Sequence, residues 1–492
     1  MMRQWILRSL PYLFYPAFWK LNRALEHPAQ AQAQIKSKIL GSLAKTAYGR
    51  SLNQGKKLAW ECLPIATYED LYPWIEQQRV SPQKSILTSE KILFWQQTSG
   101  SSGPCKWIPY TPSLIRSFSD AFAIWACDLL RHQFTLQTGR IYVCFSPQIG
   151  SEKVGIDDTA YLSPWLRSLS QPFLVSTGQT FPDLESFRRD LAIALLKAAD
   201  LEIMSLWSPS FLSLQLDYMQ AHQQELIRHL GQALSSERQA FLRETVIPWE
   251  QLWPKLKLIS CWDRQFSADS AQSLRRYFPT VLIQGKGLLA TEAPMTIPFT
   301  PAGGFIPLLN QVFFEFIAPN GEIYSLEQLQ PEIDYQVVIS PLGGFVRYQI
   351  GDRLKVSHYY QKTPCLEFVG RGEQVSDLVG EKLSLAFVTD CLQELGYLQG
   401  GFCCLAPVLT SPPHYCLFLE RSSYPPEAIA IEVENALQQA FHYQQARQLG
   451  QLATLRVVIH PQISQWLKGD HRLGDYKHSI LRIQPLTQEI PL

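Results

Sequence analysis

Strand-like and helix-like segments alternate along the middle of the chain, and this order restricts the possible fold more than any other feature. "RIYVCFS", from Arg140, is short, apolar and rich in β-branched and aromatic residues, which predicts a buried strand. A helix is predicted after its N-cap Asp183, because apolar residues recur there at helical spacing. Further strands are predicted in "LEIMSLW" from Leu201, "KLISCW" from Lys257 and "TVLIQGKG" from Thr280. Since strands alternating with helices form parallel sheets covered by helices, we expect an α/β fold.

The pattern changes after about residue 300, where strand-rich segments with Gly and Pro turns predict a mostly antiparallel β section. From Arg371 the order is helix, strand, strand, helix and strand, with one long helix predicted in "PEAIAIEVENALQQAFHYQQA". The polar, glycine-bearing segment "VGRGEQVSD" is typical of a hinge. We predict a large N-terminal domain over residues 1–370 and a small, mobile α+β C-terminal domain over residues 371–492.

Length and charge limit the class of protein. A chain of 492 residues exceeds one compact core, and its 46% hydrophobic and 18% charged residues are those of a globular protein. The net charge of +1, without a Lys/Arg cluster, gives no global indication of binding to nucleic acid or to an acidic membrane surface, and we expect no nucleic-acid partner. Composition does not address the oligomeric state.

Residues 1–27 are apolar and aromatic, with a basic start. Arg8, Pro11 and Pro16 interrupt the apolar run, so we expect neither a signal peptide nor stable membrane insertion. The segment is expected to be helical and to pack on the first domain. The alternative is a loose contact with a membrane surface.

Ten cysteines are scattered along the chain without any CxxC pair, which disfavours a structural zinc site. Most lie in apolar runs, which is typical of buried, reduced thiols. This pattern favours a reducing, cytoplasmic location.

The segment "QTSGSSGPCKWIPYT", from Gln97 to Thr111, is the sharpest local motif. Glycines and small hydroxyl residues let N–H and O–H groups converge on an anion, and a lysine adds positive charge. The spacing is not that of a P-loop, in which Lys directly follows the second Gly. The candidate phosphate-binding residues are Thr98, Ser99, Gly100, Ser101, Ser102, Gly103 and Lys106. An ordinary flexible turn is the alternative.

Two acidic residues lie in turns after strand-like segments. Glu292, which directly follows Thr291 in "GLLATEAPMTIPF", could hold Mg²⁺ while phosphates supply other ligands. Asp352, in "RYQIGDRLKV", could accept hydrogen bonds from both hydroxyls of a ribose. The alternatives are a solvated loop glutamate and a turn aspartate bonded to its own backbone.

Two late cations complete the candidates. Arg371 lies in "FVGRGEQVSD" at the predicted domain boundary, and Lys477 lies in "LGDYKHSILRI" near the C-terminus. Taken singly, each is most simply an exposed surface cation.

The order of these motifs resembles that of the adenylate-forming superfamily, which includes acyl-CoA synthetases, peptide-synthetase adenylation domains and luciferases. The order is a Gly/Ser/Thr loop with Lys, then Thr-Glu, Tyr-x-x-Gly-Asp, Gly-Arg and a late loop Lys. Within the superfamily, the chain is most similar to the auxin-conjugating acyl-acid amido synthetases, the Gretchen Hagen family of plants and its bacterial relatives. The segments that carry this similarity are "LPIATYEDLYPWIEQ", "SPSFLSLQLDYMQ" and "LGGFVRYQIGDRLKV".

The resemblance assigns roles in ATP binding to the first three motifs. It implies that residues 98–106 cradle the ATP phosphates. It further implies that Glu292 binds Mg²⁺, with Thr291 beside the adenylate. Asp352 would take the ribose hydroxyls, with Tyr348 near the nucleotide.

The resemblance also implies a reaction in two steps. A small-molecule carboxylic acid would form an acyl-AMP with release of pyrophosphate, and an amine, most simply that of an amino acid, would then form an amide. Lys106, Lys477 and Mg²⁺ would meet the developing charge, while Arg371 would support the ribose and mark the hinge. Two alternatives stay open: an acyl-CoA or carrier-thioester ligase with the same first step, and a nucleotide-binding protein without turnover.

Overall fold

The computed structural model describes residues 2–53, 58–98, 106–144, 148–149, 162–175, 180–263, 267–371, 375–399, 402–461, 463 and 480–486. The chain divides into two compact units. The first unit comprises residues 1–98, 107–209 and 215–372, and the second comprises residues 99–106, 210–214 and 373–492. No helix among these residues is long and apolar enough to cross a membrane.

Up to residue 371, the described part of the chain forms twelve α-helices and seventeen strands. The described helices are α1 (Met2–Glu26), α2 (Pro28–Leu43), α3 (Ala47–Asn53), α4 (Tyr68–Val80), α5 (Pro112–His132), α6 (Pro164–Ser170), α7 (Leu184–Lys197), α8 (Pro209–Ala221), α9 (Gln223–Leu230), α10 (Ser236–Leu242), α11 (Trp249–Leu252) and α12 (Ser267–Tyr277). The described strands are β1 (Phe94–Thr98), β2 (Lys106–Tyr110), β3 (Arg140–Val143), β4 (Gln148–Ile149), β5 (Thr180–Phe181), β6 (Leu201–Ser205), β7 (Leu258–Cys261), β8 (Leu282–Gly285), β9 (Leu289–Ala290), β10 (Ala293–Pro294), β11 (Thr296–Phe299), β12 (Gly304–Pro307), β13 (Val312–Ile317), β14 (Ile323–Tyr324), β15 (Tyr335–Pro341), β16 (Tyr348–Tyr360) and β17 (Thr363–Arg371).

The elements after residue 372 are fewer. They are β18 (Val375–Ser376), β19 (Leu383–Ser384), α13 (Leu385–Glu394), β20 (Cys403–Val408), β21 (His414–Leu419), α14 (Pro426–Leu437), α15 (Phe441–Gln448) and β22 (Arg456–Ile459).

A parallel sheet in the order β3-β6-β7-β8 lies in the first unit, which confirms the predicted α/β fold class. α7 begins after Asp183, whose side chain accepts a hydrogen bond from the Ser186 N–H at 2.7 Å, as the N-cap prediction requires. Because all four strands run the same way, their carboxyl ends meet at one edge. Ligands of open α/β sheets bind at that edge.

A second sheet in the first unit has the order β14-β13-β15-β16-β17, and every neighbouring pair is antiparallel. It confirms the β section predicted after about residue 300. The longest strand, β16, has 13 residues and begins at Tyr348. It therefore carries the whole Tyr-x-x-Gly-Asp motif.

The second unit contains a three-stranded sheet in which β20 and β21 are antiparallel and β21 and β22 are parallel. The single long helix predicted from Pro426 is wrong, because the chain forms α14 and α15 with a break between them. In one continuous helix, Leu437 and Tyr443 would point about 120° apart, yet both are fully buried in the same hydrophobic cluster here. The break also lets the Tyr443 hydroxyl donate to Glu434 at 3.1 Å.

The N-terminal segment forms the expected helix on the first unit. α1 buries Phe14, Phe18, Leu21 and Leu25, and the ring of Phe18 lies 5.5 Å from that of Phe299. All nine described cysteines are free thiols, and all of them except Cys62 are buried. Cys105 lies outside the described residues.

Candidate active site

The first motif includes two paired strands, β1 and β2, and the seven residues between them lie outside the described part of the chain. Thr98 ends β1, and Lys106, which is half-buried, begins β2. Ser99, Gly100, Ser101, Ser102 and Gly103 lie outside the described residues. β2 is held in place by hydrogen bonds at both ends: the Trp107 N–H donates to the Tyr68 hydroxyl at 2.7 Å, and the Tyr110 hydroxyl donates to the Thr291 carbonyl at 2.7 Å.

The second motif is a tight turn joined directly to the first. Thr291 and Glu292 form the two-residue link between β9 and β10, in which Ala290 pairs with Ala293. Glu292 is buried and only 9% exposed. Because Tyr110 bonds to the backbone of this turn, β2 and the candidate metal-binding carboxylate are kept together.

A diglycine turn between β15 and β16 packs against both motifs. Gly343 has φ +75°, and a Cβ on it would lie 2.1 Å from the Thr111 hydroxyl, so only glycine fits. The same hydroxyl donates to the Gly343 carbonyl at 3.0 Å. A Cβ on Gly344 would lie 3.7 Å from the Glu292 carbonyl oxygen. The start of the third motif is thus held beside the turn that carries Glu292.

The third and fourth motifs are neighbours in the antiparallel sheet. Asp352 on β16 and Arg371 on β17 are Cα partners in the register. Gly351 has φ +89°, a conformation open to glycine, and the adjacent Asp352 is only 4% exposed. The ring of Tyr348 is buried, 5.2 Å from Phe345. The register therefore brings the predicted ribose-binding pair together.

A buried ion pair fixes the start of β16. Arg347 donates two hydrogen bonds of 2.9 Å to the Glu315 carboxylate on β13, and a third to the Leu63 carbonyl. Arg347 has φ +48°, which is uncommon for a residue with a side chain. Its role was not predicted, because nothing local to "GFVRYQ" distinguishes this arginine from an exposed one.

Lys286 is a further candidate that sequence reasoning missed. It directly follows β8, at the carboxyl edge of the parallel sheet, and its ammonium donates to the Ser205 hydroxyl at 2.7 Å. The same ammonium lies 5.4 Å from the centre of the Trp207 ring, which in turn lies 5.8 Å from Trp262. Burial lowers the pKa of Lys286 to about 8, although the nearby Cys261 and Cys144 oppose this shift.

Lys286 lies close in sequence to the second motif, from which a sharp turn and β9 separate it. Gly287 has φ +74°, and its Cβ position is filled by the Thr296 backbone, so the chain turns sharply after the lysine. Four residues separate Lys286 from Thr291 along this turn and β9. No carboxylate pairs with the Lys286 ammonium among the described residues.

No group of three or more His, Cys, Asp or Glu side chains able to hold a metal occurs within the described part of the chain. A cage of protein ligands is therefore not formed there. A buried carboxylate such as that of Glu292 fits Mg²⁺, which keeps several waters and is commonly bound through one or two carboxylates and substrate phosphates.

Lys477 lies outside the described residues, so its position is not compared with the other motifs. The side chain of Arg371 is likewise not described, and its place is given by its backbone alone.

Comparison with known proteins finds family matches along most of the chain. Residues 18–283 match the GH3 family N-terminal domain, residues 305–371 the central domain and residues 385–482 the C-terminal domain. A probable indole-3-acetic acid-amido synthetase GH3.11 of Oryza sativa subsp. japonica is 22% identical, over 84% of this chain and 82% of its own length. A second rice relative, probable indole-3-acetic acid-amido synthetase GH3.7, is 24% identical over 43% of this chain and 42% of its own length.

The fold is shared with a solved structure, AtGH3.15 acyl acid amido synthetase in complex with 2,4-DB. The TM-score is 0.65 at 18% identity, over 96% of this chain and 95% of that chain.

Proposed function

The chain belongs to the GH3 family, and on that premise we propose that it is an ATP-dependent ligase that joins a small-molecule carboxylic acid to an amine. In the first step, a carboxylate oxygen of the acid attacks the α-phosphorus of ATP, and pyrophosphate leaves. In the second step, the amine nitrogen attacks the acyl carbon, loses a proton, and AMP leaves. The names of the rice relatives, which are amido synthetases, support an amine acceptor and an amide product.

The observation that carries the proposal is the packing of the motifs around one turn. Tyr110 bonds to Thr291, and Thr111 bonds to the diglycine turn before β16. Two motifs that are far from Glu292 in sequence thus adjoin the turn that carries it. The first step needs little covalent work from the protein, so holding these groups in place is the main requirement.

The proposed roles follow the motif order. Thr98, the following Ser/Gly residues and Lys106 bind the ATP phosphates, Asp352 and Arg371 bind the ribose, and Lys477 meets phosphate charge during adenylation. Tyr348 supports this site from the core and Thr291 lies beside the adenylate. Glu292 would hold Mg²⁺, which when bound supplies positive charge to the phosphates. We keep residues 1–370 and 371–492 as the proposed functional domains.

We place the acid at the carboxyl edge of the parallel sheet. The lysine there, Lys286, is next to Trp207 and Trp262, which offer flat apolar faces. A cation without a described carboxylate partner suits an anionic ligand, and adjacent indole rings suit a planar apolar body. The proposed substrate class is therefore a carboxylic acid with a planar, apolar body. A cytoplasmic location is also proposed, supported by the free thiols of the nine described cysteines.

The decisive experiment is analysis of the nucleotide products with a library of carboxylic acids, including indole-3-acetic acid. We expect acid-dependent conversion of ATP to AMP and pyrophosphate. Formation of ADP and phosphate would exclude adenylation, and failure to consume ATP with any acid would favour a nucleotide-binding protein. A second panel, in which amino acids are compared with coenzyme A, separates the amide product from a thioester.

A further inference from the structure

α1 has two apolar faces, and only one of them is covered. The covered face includes Leu7, Phe14 and Phe18, which are buried in the first unit. On the opposite side lie Trp5, Tyr12, Tyr15 and Trp19, which are 73%, 82%, 41% and 47% exposed. Together with Arg8 and Arg23, these residues recur every three or four positions. They therefore lie in a single stripe along the helix. We call the six residues Trp5, Arg8, Tyr12, Tyr15, Trp19 and Arg23 the aromatic stripe.

This exposure is unusual for a helix on a globular protein. A helix on a protein surface normally turns polar residues outward, and soluble monomers rarely expose a contiguous apolar patch. Four large aromatic side chains are exposed on this one stripe. Their exposure indicates that a binding partner covers it. α1 carries none of the motif residues of the candidate active site.

The charge of the helix indicates what that partner is. α1 contains four cations, Arg3, Arg8, Lys20 and Arg23, and a single acidic residue, Glu26 at its last position. Arg3 pairs with Asp200 at 3.7 Å, whereas Arg8 and Arg23 have no carboxylate partner among the residues that the structure describes. Arg131 of α5 adds a cation beside the stripe, 5.1 Å from the Tyr15 ring.

We propose that the aromatic stripe of α1 binds the surface of an anionic lipid bilayer, with the helix lying in the plane of the membrane. Trp and Tyr rings favour the boundary between headgroups and acyl chains, and nearby arginines pair with anionic headgroups. A second copy of this chain fits less well, because two copies of the stripe would bring uncompensated arginines together. Contact of this kind needs no membrane-spanning segment.

The test is flotation of the full-length chain with lipid vesicles, which requires no substrate and is therefore independent of the proposed ligase activity. Vesicles of equal parts phosphatidylcholine and phosphatidylglycerol are compared with vesicles of phosphatidylcholine alone. We expect the protein to float with the anionic vesicles and to bind the neutral ones more weakly. Added salt should weaken the binding to anionic vesicles.

Two double variants locate the contact. Trp5→Gln with Trp19→Gln should reduce binding roughly tenfold or more, since two interfacial anchors are lost. Arg8→Gln with Arg23→Gln should reduce binding to anionic vesicles about fivefold for each charge removed, and should not change binding to neutral vesicles. All four side chains are exposed, so the circular dichroism spectrum and the urea unfolding midpoint should be unchanged, and these two measurements check folding without any substrate.

Matched controls remove an exposed aromatic residue and an exposed arginine elsewhere: Tyr424→Gln and Arg228→Gln should float like the wild type. The proposal is wrong if the wild type does not float, or if the tryptophan variant floats equally well. It is also wrong if sedimentation shows that the tryptophan variant splits a dimer while neither protein binds vesicles, because the stripe would then be a contact between copies.

Discussion

Lys286 is the residue on which acid recognition is expected to depend. Replacement by Met keeps the length of the side chain but removes the charge. We expect the KM for the acid to rise about tenfold to a hundredfold, because a hydrogen bond to a charged group is lost, while kcat changes less. The measurement is acid-dependent exchange of pyrophosphate into ATP. The matched control is Lys362→Met, which removes an exposed lysine and should leave KM unchanged.

The pH dependence of Lys286 gives a second readout. Burial lowers its pKa to about 8, so the free protein loses this charge as the pH rises through that value. The kcat/KM for the acid should fall over the same range in the wild type, and this limb should be absent in Lys286→Met. The effect of pH on unfolding free energy has the opposite sign. Between about pH 8 and pH 10.4 the unfolded chain holds more protons at Lys286 than the folded chain does, so the unfolding free energy of the wild type increases as pH rises. A KM that does not depend on Lys286 at any pH would remove it from the acid site.

Glu292 is expected to set the requirement for Mg²⁺. Glu292→Gln keeps the shape of a buried side chain but removes the charge that a hard cation needs. The concentration of Mg²⁺ for half-maximal adenylation should rise about tenfold to a hundredfold. Circular dichroism serves to show that the variant is folded. A magnesium titration identical to that of the wild type would exclude Glu292 as a ligand.

At the scale of elements, Glu202, which is the second residue of β6, holds the loop between α5 and β3 in place. Its carboxylate accepts from the N–H groups of Gln137, Thr138 and Gly139 at 2.7–3.1 Å and from Lys257 at 3.0 Å. Burial alone would raise the pKa of Glu202, but these donors outweigh burial and lower it. Glu202→Gln should cost about 2–3 kcal/mol of unfolding free energy, since buried donors lose their charged acceptor.

The lowered pKa of Glu202 fixes the sign of the pH effect. The stabilisation is present above the unfolded pKa, about 4.3, and is lost as pH falls through the lower folded pKa. The difference in unfolding free energy between wild type and Glu202→Gln should therefore be largest at neutral pH and shrink in acid. Urea unfolding at several pH values measures it. A difference that stays constant with pH would mean that the charge of Glu202 does not stabilise the loop.

Local patterns predicted most elements but not all of their limits. The strands of the parallel sheet were predictable because short apolar, β-branched runs have few other structures open to them. The break between α14 and α15 was not, because it follows from the need to bury Leu437 and Tyr443 in the same hydrophobic cluster. That need comes from tertiary packing, which the helical pattern of "ENALQQAFHYQQA" does not contain.

At the scale of the whole molecule, two kinds of strand pairing bring candidate residues together, and the sequence indicates only one of them. The pairing of Asp352 with Arg371 needs only that β16 and β17 form a hairpin, which the sequence suggests. Lys286 is different, because its neighbours come from another strand. Ser205 is the last residue of β6, and Trp207 lies two residues beyond it. These residues meet Lys286 only because the strand order is β3-β6-β7-β8, and no local motif reveals that order.

The last prediction concerns Lys477, which stays a prediction because it lies outside the described residues. If its ammonium acts on phosphate only in the first step, its loss should affect the two half-reactions unequally. Lys477→Ala should slow acyl-AMP formation on the order of 10²–10³, the usual effect of removing one charge that acts in the transition state. The same variant should convert supplied acyl-AMP and amine to amide at nearly the wild-type rate. Lys468→Ala, in the same late segment but outside the motif, is the matched control and should leave both rates unchanged. Assaying the half-reactions separately decides the matter: equal slowing of both by Lys477→Ala would show that this lysine has no specific role in adenylation.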